Sequence, residues 1–297
     1  MSGAALRWSE QGADWPHRQS SQFVQAGGTC WHVQRMGQGP VMLLLHGSGA
    51  SSHSWRDVAP LLMPHFTLLI PDLPGHGFTP ALPAQQMSMQ GVATAVKALL
   101  DALQLQPDWV VGHSAGAAVL VRMCLNHSIS PRTLISLNGA LLPLSGLSTV
   151  WFAPVARLMA NSSLLAGFLA SRAQRPGVVQ RLIDSTGSRL HPAGVEWYAR
   201  LVRHPGHVAG VLQMMANWDL DGLRRDLPAL TTPIVLVVGL GDRTVDPGQA
   251  DRTAVLLRHA RVVRLPQLGH LAHEEAPQLV SDLILECCGQ TAAASAS

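Results

Sequence analysis

One pentapeptide, set between an apolar run and a helical pattern, constrains this chain more than any other feature of its sequence. Residues 109–111 are apolar, 112–116 read G-H-S-A-G, and a helical pattern covers 115–126. A serine on such a sharp turn from strand to helix needs backbone angles that crowd its neighbours, so small residues must lie two positions away on either side. Its hydroxyl then stands clear of the backbone, beside the first N–H groups of the helix. A chain with 27 glycines can match this pattern by chance, but the context predicts that Ser114 is a nucleophile.

Partners for a serine nucleophile follow further along the chain. The apolar, β-branched run 233–239 indicates a buried parallel strand, and Asp242 comes just past its end. A second strand is predicted over 261–265, and His270 follows it. Serine, acid and histidine thus occur in one order, each in a loop after a strand, as in known triads of this kind. We predict that His270 takes the proton of Ser114 and that Asp242 fixes the imidazole tautomer.

Each of these two roles has a competitor nearby. Asp246, four residues further from the strand end than Asp242, is the alternative acid. His273 is the alternative base, but it falls inside the helix that residues 274–277 begin to form. Together with His270 it also resembles a metal-binding pair on one helical face. The ordered glutamate of the zinc-protease motifs is missing, so we predict no metal and no cofactor.

The loop after an earlier strand is suited to stabilise an oxyanion. A buried strand is predicted over 41–46, and the residues after it read G-S-G. This loop can donate the N–H of Ser48 beside the N–H of Ala115, and two such preorganised donors stabilise a transition state strongly. We expect Gly47 and Gly49 to contact the substrate. A phosphate-binding loop is the alternative, but no Gly-Lys-Ser/Thr follows, so the Walker A motif is absent.

Strand and helix patterns alternate over most of the chain. An antiparallel pair is predicted over residues 21–36. Further strands are predicted at about 41–46, 66–71, 108–112, 132–138, 233–239 and 261–265. Helices are predicted at about 54–62, 88–104, 115–126, 247–258 and 276–287. This alternation predicts an α/β fold with an eight-stranded, mostly parallel sheet and helices on both faces.

The combined motifs resemble those of the α/β-hydrolase family, from about Phe23 to Cys288. The segments that carry the resemblance are Leu45–Gly49, Pro71–Gly77, Gly112–Gly116, Gly239–Asp242 and Gly269–His270. The resemblance implies the α/β-hydrolase fold. A serine at the nucleophile position argues against haloalkane dehalogenases and epoxide hydrolases, which use aspartate there.

A narrower resemblance is to one subgroup of that family. It is carried by Asp14–Arg18, Gly27–Gln34, Gly49–Arg56, Asp72–Thr79, His113–Ala118 and Asn217–Leu220. The subgroup comprises the bacteriochlorophyll-biosynthesis hydrolase homologues described as magnesium-chelatase accessory proteins. The resemblance implies a role near porphyrin metallation in phototrophic bacteria, with a porphyrin ligand and contact with the chelatase.

The alternation breaks between Leu142 and Pro233, where helices are predicted at about 148–171, 176–185, 192–203 and 205–217. In the family that the chain resembles, such an insertion is a cap over the nucleophile. The predicted divisions are a loosely ordered segment over 1–20, a core over 21–142 and 219–290, a helical cap over 143–218 and a disordered tail over 291–297. Trp151 and Trp218, with His113 beside the nucleophile, are candidate substrate contacts.

The predicted cap is rich in arginine. It holds seven arginines against two acidic residues, Asp184 and Glu196. One interpretation is a solvated helix surface in an arginine-rich protein. The other is an apolar pocket rimmed by arginine, which suits a large flat ligand that carries carboxylates.

Composition excludes some functions and compartments. The net charge of +3 and the lack of a basic run argue against nucleic-acid binding. The four cysteines show no metal-binding spacing and no apolar signal segment opens the chain, so we expect a cytoplasmic protein. Residues 133–156 carry no charge, but prolines and a predicted strand interrupt them. This argues against a membrane span and leaves a peripheral membrane contact through the cap open.

Two hypotheses of function follow. The first is a serine hydrolase that cleaves an ester, or a thioester, amide or activated C–C bond, either in a porphyrin or in a small apolar substrate unrelated to pigments. The second is a non-catalytic accessory protein that binds a porphyrin or the chelatase and has inherited the triad. The complete triad pattern favours catalysis, and the narrower resemblance favours the pigment pathway. The two agree if the porphyrin is also the substrate.

Overall fold

A sheet of eight strands lies at the centre of the computed structural model, which describes residues 5–143 and 162–289. The strands are β1 (Ser21–Ala26), β2 (Thr29–Met36), β3 (Val41–Leu45), β4 (Thr67–Pro71), β5 (Trp109–His113), β6 (Thr133–Leu137), β7 (Ile234–Gly239) and β8 (Ala260–Leu265). Their order across the sheet is β1-β2-β4-β3-β5-β6-β7-β8. Strand β2 is antiparallel to both neighbours, and β3 to β8 are parallel. The predicted eight-stranded, mostly parallel sheet is confirmed.

Both faces of the parallel strands are buried, which explains their continuous apolar runs. In β3, Leu43 and Leu45 belong to the apolar cluster on one face, whereas Met42 and Leu44 belong to the cluster on the other. All four side chains are 0% exposed. Because successive side chains of a strand point to opposite faces, helices must cover the sheet on both sides.

Helices flank this sheet and fill the long insertion before β7. In chain order they are α1 (Trp8–Gln11), α2 (Ala59–Leu62), α3 (Met89–Ala102), α4 (Ala115–Leu125), α5 (Ser163–Ala173), α6 (Val178–Ser185), α7 (Pro192–Val202), α8 (Pro205–Ala216), α9 (Leu220–Asp226), α10 (Gln249–Leu256), α11 (Ala272–Glu275) and α12 (Pro277–Cys287). None of the helices within the described ranges is both long and apolar enough to cross a membrane.

The helix predicted at 54–62 is wrong. A 3-10 turn at Ser52–Trp55 precedes the separate short helix α2. Pro60 lies in the first turn of α2 and has no N–H, so it cannot donate to the carbonyl of Arg56 four residues earlier. That carbonyl instead accepts a hydrogen bond from His17 Nε2 at 2.7 Å.

The insertion differs from its prediction at the end that precedes β7. Residues 148–161 of the first predicted helix lie outside the described residues, and α5 begins at Ser163. Helix α9 was not predicted. Its N-cap is Asp219, whose carboxylate accepts a hydrogen bond from the Gly222 N–H at 2.8 Å. The division into core and cap at residues 143 and 218 stays a prediction.

The segment before β1 is packed rather than loosely ordered over residues 5–20. Leu6 and Trp15 are 5% and 2% exposed. The Trp15 ring lies 4.8 Å from Phe78 and 5.3 Å from Trp197, between centroids, so it contacts both the region after β4 and helix α7. Buried aromatic surface holds this segment in place, although the surrounding sequence is polar. The predicted tail over 291–297 lies outside the described residues.

Strand order brings several loops to one edge of the sheet. Parallel strands end at the same edge, so the loops after β3, β5, β6, β7 and β8 are neighbours there. The order also reverses at β3, which lies between β4 and β5. In open parallel sheets such a reversal creates a crevice at the carboxyl ends of the strands.

Candidate active site

Ser114 lies on a strained turn between β5 and α4. Its φ of 49° and ψ of −115° are unusual for a residue with a side chain. A Cβ on Gly112 would lie 2.5 Å from the Ala117 nitrogen, and a Cβ on Gly116 would meet the Leu45 carbonyl oxygen. Only glycine therefore fits at these two positions. The structure explains why the turn needs small residues on either side of the serine.

His270 and Asp242 form the central hydrogen bond of the site. His270 Nδ1–H donates to Asp242 Oδ2 at 2.7 Å, and both residues are 6% exposed. Asp242 Oδ1 accepts from the N–H groups of Thr244 at 2.7 Å and Val245 at 2.9 Å. Burial acts to raise the pKa of Asp242, but the His270 and backbone hydrogen bonds outweigh it and lower that pKa. The carboxylate is therefore held as an anion against the imidazole.

Asn138, which the sequence analysis did not single out, also holds this carboxylate. It follows β6 and has a positive φ of 46°. Its Nδ2 donates to Asp242 Oδ2 at 2.8 Å, and its backbone N–H donates to the Val237 carbonyl at 2.8 Å. An asparagine before a glycine, just past the end of a predicted strand, was the available signal.

The two competitors occupy different surroundings. Asp246 forms an ion pair with Arg252 at 2.6 Å, and both side chains are about half exposed. His273 is 0% exposed, and neither of its ring nitrogens has a hydrogen-bond partner within the described ranges. Burial holds its pKa well below the ordinary value. The geometry thus brings Asp242, and not Asp246, to His270.

His113 packs against His270 and is only 2% exposed, and its predicted contact with substrate stays a prediction. Its Nε2–H donates to the His270 carbonyl at 2.9 Å, and the two ring centroids are 4.8 Å apart. Burial, with the neighbouring His270, lowers the pKa of His113 to about 3. The hydrogen bond requires a proton on Nε2, and the lowered pKa keeps the imidazole neutral near pH 7. His113 therefore supports the backbone of His270.

The glycine-rich loop lies beside Ser114. A Cβ on Gly47 would lie 3.0 Å from the Ser114 Cβ. Ser48 is exposed, and its N–H donates to no acceptor among residues 5–143 and 162–289. Ala115 is the first residue of α4, where backbone N–H groups have no partner inside the helix. Gly49 accepts a hydrogen bond at its carbonyl from His207 Nε2 of α8 at 3.3 Å.

Both predicted tryptophan contacts stay predictions. Trp151 lies outside the described residues. Trp218 is half-buried and packs against the apolar cluster that contains Met214 and Leu223. Its predicted role in substrate binding stays a prediction. In the described part of the chain, no cluster of three or more histidine, cysteine or acidic side chains could hold a metal ion.

A second Ser-His-Asp arrangement lies away from this elbow. Ser21 Oγ is 2.9 Å from His32 Nε2, and His32 Nδ1 is 2.9 Å from Asp72 Oδ2. Asp72 also accepts the N–H groups of Ser52 at 2.7 Å and Phe78 at 2.9 Å. Ser21 begins the extended strand β1, so no helix N-terminus follows it. This arrangement connects β1 and β2 to the loops after β3 and β4.

Comparison with known proteins relates the chain to hydrolases. A family model described as alpha/beta hydrolase fold matches residues 40–277. The magnesium-chelatase 30 kDa subunit of Rhodobacter capsulatus is 37% identical over 280 residues, which cover 92% of this chain and 96% of that protein. A pimeloyl-[acyl-carrier protein] methyl ester esterase of Vibrio vulnificus (strain YJ016) is 31% identical over 223 residues, 72% of this chain and 80% of that protein.

Solved structures show the same fold at low sequence identity. A thermophilic esterase from Thermogutta terrifontis has a TM-score of 0.72 and 24% identity, over 91% of this chain and 98% of that one. An alpha/beta hydrolase fold protein from Burkholderia ambifaria has a TM-score of 0.74 and 21% identity, over 89% and 97%. The overall fold is therefore shared with these solved structures.

Proposed function

Because this chain belongs to the α/β-hydrolase family, we propose that it is a serine hydrolase in which Ser114 attacks an ester or a related acyl bond. The observation that carries the proposal is the 2.7 Å hydrogen bond from His270 Nδ1 to Asp242, at the sheet edge where Ser114 lies on its strained elbow. With the proton on Nδ1, the Nε2 lone pair of His270 is free to accept the Ser114 proton.

The remaining steps use groups on the same edge. Attack by Ser114 turns the substrate carbonyl into an oxyanion, which accepts hydrogen bonds from the N–H groups of Ala115 and Ser48. The His270 imidazolium then donates its proton to the leaving group, and the acyl-enzyme forms. A water molecule, deprotonated by His270, releases the acid. Asp242, whose carboxylate is fixed by backbone hydrogen bonds, stabilises the imidazolium whenever it forms.

We propose further that the ligand is a porphyrin and that the protein acts beside magnesium chelatase in the cytoplasm. The support is the similarity to the Rhodobacter capsulatus magnesium-chelatase subunit over nearly the whole chain. In the predicted cap, Arg200 pairs with Asp14 at 2.6 Å and Arg203 with Glu196 at 3.3 Å. Among the cap residues that the structure describes, the exposed arginines available to ligand carboxylates are Arg172, Arg175, Arg181 and Arg189.

A fluorophosphonate probe, which reacts with activated serines, tests the catalytic part. We expect the wild type to be labelled and Ser114→Ala to be unlabelled, with unchanged circular dichroism. Ser21→Ala is the matched control, because its hydroxyl also bonds a histidine but lies on no elbow. An unlabelled wild type, or labelling that survives in Ser114→Ala, would refute the hydrolase mechanism.

The same probe separates the pigment proposal from its alternatives. Magnesium protoporphyrin at micromolar concentration should slow the labelling of Ser114 if it occupies the site. A porphyrin that binds by fluorescence quenching while Ser114 stays unreactive would favour a non-catalytic accessory protein. Hydrolysis of small apolar esters that porphyrin does not inhibit would favour an esterase unrelated to pigments, in line with the Vibrio relative.

A further inference from the structure

The backbone around His270 is held by hydrogen bonds from separate parts of the chain. Gly269 N–H donates to Glu275 Oε1 at 2.8 Å, and the Gly269 carbonyl accepts from Asn138 Nδ2 at 3.4 Å. The His270 carbonyl accepts from His113 Nε2 at 2.9 Å. The N–H groups of His270 and of the next residue, Leu271, have acceptors in another part of the chain.

Both of these N–H groups donate to one turn of the predicted cap. The turn comprises Thr186–Arg189, between α6 and α7, and is called the 186–189 turn below. Leu271 N–H donates to Ser188 Oγ at 2.8 Å, and Ser188 is 1% exposed. His270 N–H donates to the Thr186 carbonyl at 3.3 Å. The insertion therefore reaches the loop after β8 and accepts two hydrogen bonds from its backbone.

A single carbonyl in the turn connects the loops after β7 and β8. The Thr186 oxygen accepts from the Arg243 N–H at 3.0 Å as well as from His270 at 3.3 Å. Gly187, with φ of +82°, packs so closely that a Cβ there would meet the Gly241 carbonyl oxygen. Only glycine permits this contact, because both its conformation and its size are needed.

The side chain of Glu275 forms a second bridge between the turn and the loop. Its Oε2 accepts from the Arg189 N–H at 3.1 Å, while its Oε1 accepts from the Gly269 N–H at 2.8 Å. One carboxylate thus ties the end of the 186–189 turn to the residue before His270. Together with Ser188, it fixes the turn against the loop at two points.

We propose that the 186–189 turn, through Ser188 and Glu275, positions His270 against Asp242, so that the inserted helices set the geometry of the catalytic pair. This inference rests on the proposed serine-hydrolase function. Neither side chain contacts the reacting atoms, so both are positioning residues. A ligand that shifts the helices on either side of the turn would then change the reactivity of Ser114 without touching it.

Ser188→Ala is the test variant, because it removes one hydrogen bond and keeps the glycine contact. We expect fluorophosphonate labelling to slow by about 10- to 100-fold, the loss that a displaced catalytic group causes. Ser185→Ala is the matched control in the same segment, since Ser185 is exposed and its hydroxyl donates to the carbonyl of Leu182, within its own helix. That variant should label at the wild-type rate.

A spectroscopic readout distinguishes positioning from general loosening of the fold. The His270 Nδ1–H, shared with Asp242, should give a downfield proton NMR signal in the wild type and in Ser185→Ala. In Ser188→Ala we expect this signal to shift or broaden while the thermal midpoint of unfolding stays close to that of Ser185→Ala. If Ser188→Ala does not fold, Glu275→Gln tests the same connection. The introduced amide has one carbonyl oxygen, so its NH2 group would face the Arg189 N–H, and two donors would then oppose each other.

The outcomes separate the two proposals. A wild type that shows the downfield signal but is never labelled contradicts the hydrolase mechanism. In that case the NMR signals of the wild type and Ser188→Ala still test the positioning role. A folded Ser188→Ala with wild-type labelling rate and unchanged signal overturns the positioning role, as does an equal effect from Ser185→Ala.

Discussion

Asp242→Asn should leave the fold intact but reverse the hydrogen bonding at His270. Asp242 Oδ1 accepts from the backbone N–H groups of Thr244 at 2.7 Å and Val245 at 2.9 Å. Oδ2 accepts from Asn138 Nδ2 at 2.8 Å and His270 Nδ1 at 2.7 Å. The introduced amide must keep its oxygen towards the two backbone donors. Its NH2 group then takes the place of Oδ2.

This arrangement forces the wrong tautomer. The introduced NH2 donates to His270 Nδ1, so the imidazole proton moves to Nε2, which can no longer accept the Ser114 proton. We expect labelling and turnover to fall by about 10⁴-fold, the loss seen when a serine-protease acid is changed in this way. Asn138 Nδ2 also loses this acceptor and keeps only the Gly269 carbonyl at 3.4 Å. Its other N–H is then a buried unpaired donor, which costs about 1–3 kcal/mol of unfolding free energy.

The assay is the rate of fluorophosphonate labelling, together with urea unfolding. Asp246→Asn is the matched control: its carboxylate pairs with Arg252 at the surface, so we expect wild-type labelling and less than about 1 kcal/mol lost. A rate within tenfold of wild type for Asp242→Asn, or a larger effect from Asp246→Asn, would refute the reasoning.

A double variant separates the two effects of this change. Adding Asn138→Asp to Asp242→Asn supplies an acceptor for the introduced NH2 group. Part of the lost stability should return, while labelling stays low because the tautomer of His270 remains wrong. Recovery of labelling with stability would mean that Asp242 acts only by holding the fold.

Two further predictions concern stability. Burial raises the pKa of Glu274 from 4.5 to about 7, against the opposing effect of Arg56; between these values the folded state keeps a proton that the unfolded state loses. The free energy of unfolding should therefore fall as pH rises from about 4.5 to 7. In urea unfolding, Glu274→Gln should make this pH dependence weaker. An unchanged pH dependence in the variant would mean that other groups cause it. Trp15→Ala removes a ring packed on Phe78 and Trp197 and should cost about 3–5 kcal/mol in thermal unfolding. No change there would mean that the segment before β1 is as loose as its sequence suggests.

Local patterns were sufficient to predict the fold, and they led to the proposal of the three triad residues. An apolar, β-branched run such as 233–239 indicates a buried strand wherever it occurs, and the structure has β7 at Ile234–Gly239. Parallel strands end at one edge, so residues just past those ends must be neighbours. Ser114, Asp242 and His270 could therefore be grouped before any contact was known.

The supporting residues were decided by the tertiary structure alone. Asn138 bonds Asp242 across 104 positions, and Ser188 bonds Leu271 across 83. No periodicity or motif links such pairs, because loops may approach one another in many ways that leave the strand pattern unchanged. The burial of Trp15 beneath α7 has the same origin, since its polar neighbours in sequence carry no sign of the distant apolar surface. Hydrophobic periodicity and strand direction are properties of a local segment, whereas the partner of a long-range hydrogen bond depends on the complete tertiary structure.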